Sequence, residues 1–146
     1  MRKASAGWTL ALSALLLGCG GSRSLELTGD EVRKRLPEEV SSLVPADAIL
    51  CHDEEGQHGA YRLWILRKPA GSRIEYPKRR GLEHHAMPTT ALESLLRSRL
   101  PSLDSGTPVD RHCHYTHWRA TDGSEIQVRE IVTDQGWFAS VERVRM

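Results

Sequence analysis

The sequence lacks the signatures by which several classes of protein are recognised. It contains no GxSxG nucleophile motif and no phosphate-binding loop, so it does not predict an enzyme. It also contains no HExxH and no paired CxxC knuckles, which are the standard motifs of zinc sites. Lys and Arg number 20 against 19 acidic residues, and this balance gives no general attraction to nucleic acid. A membrane-spanning helix needs roughly 20 apolar residues. The N-terminal apolar run is too short for this, and there is no second long apolar run.

The first residues have the layout of an export signal. Met1–Lys3 is a basic head, an uncharged apolar run covers about 8–17, and Gly18 precedes Cys19. A charged N-terminal region, a short apolar run and small residues before the cleavage site are typical of a secretory signal peptide. These zones alone also fit a plain signal peptide or an uncleaved anchor.

The end of this segment carries a more specific motif. Leu16-Leu17-Gly18-Cys19 resembles the lipobox of bacterial lipoproteins. The resemblance implies a diacylglyceryl group on the Cys19 sulfur, cleavage before Cys19 and frequent acylation of the new amino group. Two or more acyl chains anchor a protein stably, at about 0.8 kcal/mol per buried methylene. In that family an Asp after the cysteine favours retention in the inner membrane. Because Gly20 stands at this position, the resemblance implies the periplasmic face of the outer membrane, within the cell envelope.

Cleavage there divides the chain into three parts. Residues 1–18 are the signal peptide, 19–28 the lipidated cysteine and a short polar tether, and 29–146 a single domain. The mature chain has 128 residues, with 18 basic against 19 acidic, and is long enough for its own core.

Two cysteines remain beside Cys19. Outside the cytoplasm, two such cysteines usually pair, so a disulfide between Cys51 and Cys113 is expected. It would close a loop of about 60 residues and contribute roughly 4 kcal/mol. Two buried thiols and a shared metal ion are the alternatives.

The periodicity of the mature chain predicts an α+β fold. Apolar spacing indicates one helix from Thr28 to Pro45, broken at Pro37, and a second from Thr90 to Pro101. Alternation predicts strands, with the polar turn Asp53–Gly59 after the first of them. We expect a small antiparallel sheet of about five strands with two helices packed on one face. The predicted strands are 48–52, 60–67, 112–120, 124–133 and 137–144.

Clustered histidines are candidate metal ligands. His112 and His114 point to the same side of a strand, and His52 is a candidate third ligand, with His58, His84 and His85 as alternatives. His52 and His114 each follow a cysteine and are expected on the opposite face from it. Imidazole suits zinc and copper. Solvent-facing strand histidines are the alternative.

A basic segment is the other candidate contact site. Lys78, Arg79 and Arg80 lie in a long loop rich in Pro and Gly. They could contact anionic lipid, at about 1 kcal/mol per basic residue near the surface, an acidic partner or a cell-wall polymer. A solvated charged loop is the alternative.

Together these features predict a lipid-anchored envelope protein with a non-catalytic interaction domain, acting as an adaptor, inhibitor or accessory subunit. Its partners would be the membrane and an envelope protein. Neither nucleic acid nor a cofactor is expected to bind. The alternative is a periplasmic lipoprotein that binds zinc or copper through its histidines.

Overall fold

The computed structural model describes residues 23–42, 44–68 and 83–146. They form one antiparallel sheet with the strand order β1-β2-β3-β7-β6-β5-β4, together with three helices. No helix among these residues is both long enough and apolar enough to cross a bilayer. The strands are β1 (Arg23–Leu27), β2 (Ile49–Glu55), β3 (Tyr61–Lys68), β4 (Glu83–Pro88), β5 (His112–Arg119), β6 (Glu125–Thr133) and β7 (Gly136–Val144), and the helices are α1 (Asp30–Arg35), α2 (Glu38–Ser41) and α3 (Thr90–Arg99).

The predicted α+β class agrees with this architecture, but the sheet is larger than expected. It has seven strands, because β1 and β4 were not predicted. Both are edge strands of the described sheet. β1 falls in the segment assigned to the tether, and β4 contains Glu83, His84 and His85 without an apolar alternation. Edge strands bury less than central ones, so their sequences carry a weaker pattern.

Helices α1 and α2 cover one face of the sheet. Leu36 is extended between them, since a residue before proline is disfavoured in the helical region. Val32, Leu36 and Val40 pack against the sheet, and each such buried side chain contributes about 1.5–3 kcal/mol. The buried strand residues of this core are Leu50, Trp64, Leu66, Ile126, Val128, Trp137, Ala139 and Val141.

Helix α3 covers the opposite face. Leu92, Leu96 and Leu100 form a second core with strand residues. The expectation that the helices share one face is therefore wrong. The physical reason lies in the central strands, because Leu63–Leu66 of β3 are all buried and a strand with apolar side chains on both sides needs cover on both. The strand residues of this core are Cys51, Leu63, Ile65, Cys113, Ile131 and Phe138.

A β-bulge in β2 decides which side chains reach the α3 face. Leu50 pairs with Leu66, and the next pair along is His52 with Ile65, so Cys51 is the extra residue. Cys51 and Ile65 both belong to the core beneath α3. The bulge thus brings His52 to the same face as Cys51, against the alternation expected from the sequence.

Candidate functional site

A cleft lies between the sheet and the C-terminal end of α3. It has a volume of about 470 Å³, within the range of about 300–1,000 Å³ that is common for small-molecule sites. We call it the α3 cleft. Its lining comprises Glu26, Cys51, His52 and Arg67 from the sheet, together with Ser98, Arg99, Leu100, Pro101, Ser102 and Leu103 from the end of α3 and the chain that follows.

Two residues of the cleft lining, His52 and Arg99, both contact the carboxylate of Glu54. His52 is 2% exposed, and its Nε2 lies 3.0 Å from Glu54 Oε2. Arg99 donates to both oxygens of Glu54, from Nε at 2.6 Å and from Nη2 at 3.3 Å. Burial raises the pKa of Glu54, but the hydrogen bonds to His52 and Arg99 outweigh it and leave that pKa below its ordinary value. An ionised Glu54 therefore ties α3 to β2.

The outer part of the cleft carries an exposed ion pair. Arg67 Nη2 donates to Glu26 Oε1 at 3.0 Å, and Glu26 is 75% exposed while Arg67 is 25% exposed. Exposed pairs of this kind contribute about 0–1 kcal/mol. Leu100 and Leu103, which line the same cleft, pack with the apolar core beneath α3. The α3 cleft therefore combines guanidinium groups with apolar side chains.

Cys51 is a protonated thiol at the base of the cleft. Burial raises its pKa to about 12, although the positive charge of Arg67 opposes this. Its Sγ donates to the carbonyl of Ile49 at 3.6 Å. Since the thiolate is the reactive form of cysteine, Cys51 is not activated as a nucleophile at neutral pH.

The predicted disulfide is wrong for this structure. Cys51 and Cys113 are both buried free thiols, on β2 and β5. Strands β3, β7 and β6 lie between those two. Four inter-strand spacings amount to about 19 Å, whereas a disulfide needs roughly 4.4–6.8 Å between Cα atoms. Cys113 Sγ is instead directed at the carbonyl of Pro88, at 3.9 Å.

The predicted set of metal ligands does not converge. His112 and His114 are both exposed, on either side of the buried Cys113, which fits the expected alternation. His52, however, is buried on β2, separated from β5 by three strands. Within the described ranges, no group of three or more His, Cys, Asp or Glu side chains could hold a metal ion.

Sequence reasoning missed the charged residues that build the cleft and its surroundings. The run Asp53–Glu55 was assigned to a solvated turn, but it is the end of β2. Asp53 accepts hydrogen bonds at 3.0 Å from both Nε and Nη2 of Arg62. Its other partner is Arg35 of α1, at 3.4 Å. Alternation without a bulge puts His52 and Glu54 on one face and Cys51 on the other, so it could not bring Cys51 to the side of His52 and Glu54.

A second group of rings lies on the sheet towards β4. The imidazoles of His85 and His117 stack at 5.8 Å between centroids, and Tyr115 lies 5.4 Å from His117. The guanidinium of Arg129 is 5.9 Å from the centre of the Tyr115 ring. Of these two histidines, His85 is one of the alternative ligands that the sequence indicated, whereas His117 is not.

Comparisons with known proteins find no relative. No family model matches the sequence, and no curated protein or solved structure matches it either. The structure on its own defines an α+β protein with a charged cleft at the end of α3. Cys19, Lys78, Arg79 and Arg80 lie outside the described residues, so their proposed contacts stay predictions.

Proposed function

We propose that this chain is a lipid-anchored protein of the bacterial envelope whose domain binds a partner through the α3 cleft and catalyses no reaction. The observation that carries the proposal is the cleft itself. It has the volume of a binding site, two arginines in its lining and apolar side chains beside them. Adaptor, inhibitor and accessory subunit are the roles that fit such a domain.

The rigidity of the cleft supports binding. Arg99 is held through both oxygens of Glu54, and Glu54 and His52 lie on a strand that pairs on both sides. Side chains fixed in advance lose less conformational entropy when a partner binds. The lining is therefore already arranged for contact.

The chemistry of the same residues supports binding rather than catalysis. Cys51 remains protonated, because its pKa is about 12. The imidazole of His52 is bonded to Glu54, 3.0 Å away. A catalytic cysteine needs a lowered pKa, and the environment of Cys51 has the opposite effect.

The lipobox supports attachment to a membrane close to the cleft. Glu26, at the outer part of the cleft, follows Cys19 by seven residues. Seven residues span at most about 25 Å when fully extended. A lipid on Cys19 would therefore hold the α3 cleft near the bilayer surface, where other envelope proteins are encountered.

Site-specific crosslinking tests the binding surface. A photo-reactive amino acid replaces the exposed Ser102 in the cleft, and in the control the exposed Thr121, in the turn between β5 and β6. We expect one crosslinked product in intact envelopes from position 102 that is absent from position 121. The proposal fails if both positions give the same products or if position 102 gives none.

Substitution of cysteines tests the anchor. Cys19→Ala should abolish palmitate incorporation and precursor processing and release the protein from membranes. Cys51→Ala is the control, because it removes a cysteine side chain inside the domain. It should leave palmitate incorporation, precursor processing and membrane attachment unchanged. Unaltered membrane attachment of Cys19→Ala would refute the lipid anchor.

A further inference from the structure

The ion pair at the outer part of the α3 cleft identifies the chemistry of its ligand. We infer that the cleft binds a carboxylate carrying an apolar group, and that Glu26 occupies the place of this carboxylate when no ligand is bound. The inference rests on the proposed function, since it assigns a ligand class to the same cleft. The ligand would be a free organic acid or the C-terminal carboxylate of a peptide.

Arg67 is the group that would receive the carboxylate. It lies near the end of β3, a strand paired on both sides, and its side chain is 25% exposed, so it is both anchored and accessible. A guanidinium presents a planar set of donors that matches a carboxylate in two parallel hydrogen bonds. Glu26 accepts a hydrogen bond from Nη2 of Arg67 through its Oε1.

Glu26 has the properties of a carboxylate that a ligand can displace. Its side chain is 75% exposed, and it is carried by β1, an edge strand that pairs only with β2 among the described residues. An exposed ion pair contributes little to stability. Replacing Glu26 by the carboxylate of a ligand would therefore cost the fold little.

The rest of the lining favours an anion with an apolar group. Arg99 adds a second guanidinium, which Glu54 holds in position. Pro101 and Leu103 contribute accessible apolar surface. Because Arg99 is paired with Glu54, displacing Glu26 leaves the positive charge of Arg67 to be balanced, which an anion does and a cation does not. A purely polar anion would leave the apolar side chains exposed to water.

Matched pairs of acids and amides test the ligand class. The lipidated mature chain, in lipid nanodiscs, is titrated with 4-methylpentanoate and with acetyl-Gly-Gly-Leu, and binding is followed by the amide NMR shifts of Ser98, Arg99, Leu100, Ser102 and Leu103. Controls are 4-methylpentanamide and the same peptide with an amidated C terminus. Saturable binding of either carboxylate, at least about tenfold tighter than its amide, supports the inference. Binding of 4-methylpentanoate would identify a free organic acid as the source of the carboxylate, and binding of acetyl-Gly-Gly-Leu would identify a peptide C terminus. Absence of saturation by both carboxylates, or equal binding of acid and amide, overturns it.

Charge variants test the assigned residues. Arg67→Gln should weaken carboxylate binding about tenfold or more, because it removes a charged hydrogen bond. Arg97→Gln, the same change at an exposed position of α3 outside the cleft lining, should leave binding unchanged. Glu26→Gln should strengthen binding several-fold, because it removes the competing carboxylate. Wild-type affinity in Arg67→Gln, or weaker binding in Glu26→Gln, overturns the assignment, and the second variant remains informative if the first fails to fold.

The two levels of the proposal can fail separately. Crosslinks specific to position 102 without binding of either carboxylate would refute the ligand class and leave the binding surface intact. Absence of both would refute the cleft as a binding site altogether.

Discussion

Reducing agents should not change the stability of this protein, although it has two cysteines in a domain expected to be exported. The structure separates Cys51 on β2 from Cys113 on β5 by three strands, or about 19 Å. A bridge across about 60 residues would contribute roughly 4 kcal/mol. With a urea m-value of about 2 kcal/mol per molar, its reduction would lower the unfolding midpoint by about 2 M.

The assay is urea unfolding of the lipidated chain, followed by tryptophan fluorescence with and without reductant. We expect coincident curves. Cys51→Ala and Cys113→Ala provide the control, since each should lose only its own packing and neither should respond to reductant. A midpoint that falls by about 2 M on reduction, or a Cys51–Cys113 crosslinked peptide in non-reducing mass mapping, would refute the strand order.

Three further predictions concern the stability of the domain. The pKa of Cys51 is raised from 9.0 to about 12, so the contribution of the buried thiol to stability is complete below about pH 9 and is lost as the pH rises towards 12. Over that pH range the free energy of unfolding should fall less steeply in Cys51→Ala than in the wild type. Parallel slopes for the two proteins would contradict this. Asp53→Asn should lower the free energy of unfolding by about 1–3 kcal/mol, because it weakens the hydrogen bonds from Arg62. Glu55→Gln, at an exposed position, should leave that free energy nearly unchanged. Equal losses of stability in urea unfolding would exclude the assigned role of Asp53. Leu96→Ala should cost about 2–5 kcal/mol, since Leu96 is 1% exposed, and calorimetry showing a smaller loss than Leu95→Ala would contradict the orientation of α3.

The elements that bury the most surface were predictable from the sequence. Strands β3, β6 and β7 contain apolar positions of both cores. The sequence of β6 alternates between apolar and polar residues, and that of β3 carries large apolar residues for both faces. Leu92, Leu96 and Leu100 are spaced as one helical face, and α3 follows that spacing. Strands β1 and β4 were not predictable, because edge strands bury less surface and their sequences carry little apolar signal.

The cleft could not be predicted because its geometry depends on the bulge at Cys51. Strict alternation sends Cys51 and His52 to opposite faces, whereas one extra residue in β2 brings them to the same face. No glycine or other bulge signal marks positions 50–53. The pairing of Glu54 with Arg99 spans 45 residues, and such distant contacts leave no local pattern.

The most direct test of the central claim, that the α3 cleft is the binding surface, is hydrogen exchange measured on the anchored protein within its own envelope. Exchange is compared with that of the same protein purified into lipid nanodiscs. We expect added protection in the envelope at the amides of Cys51 and His52 and of the cleft residues at the end of α3 and after it, and none at the turn between β5 and β6. The cleft residues with an amide there are Ser98, Arg99, Leu100, Ser102 and Leu103. Protection confined to that turn, or identical exchange in the two preparations, would contradict the account.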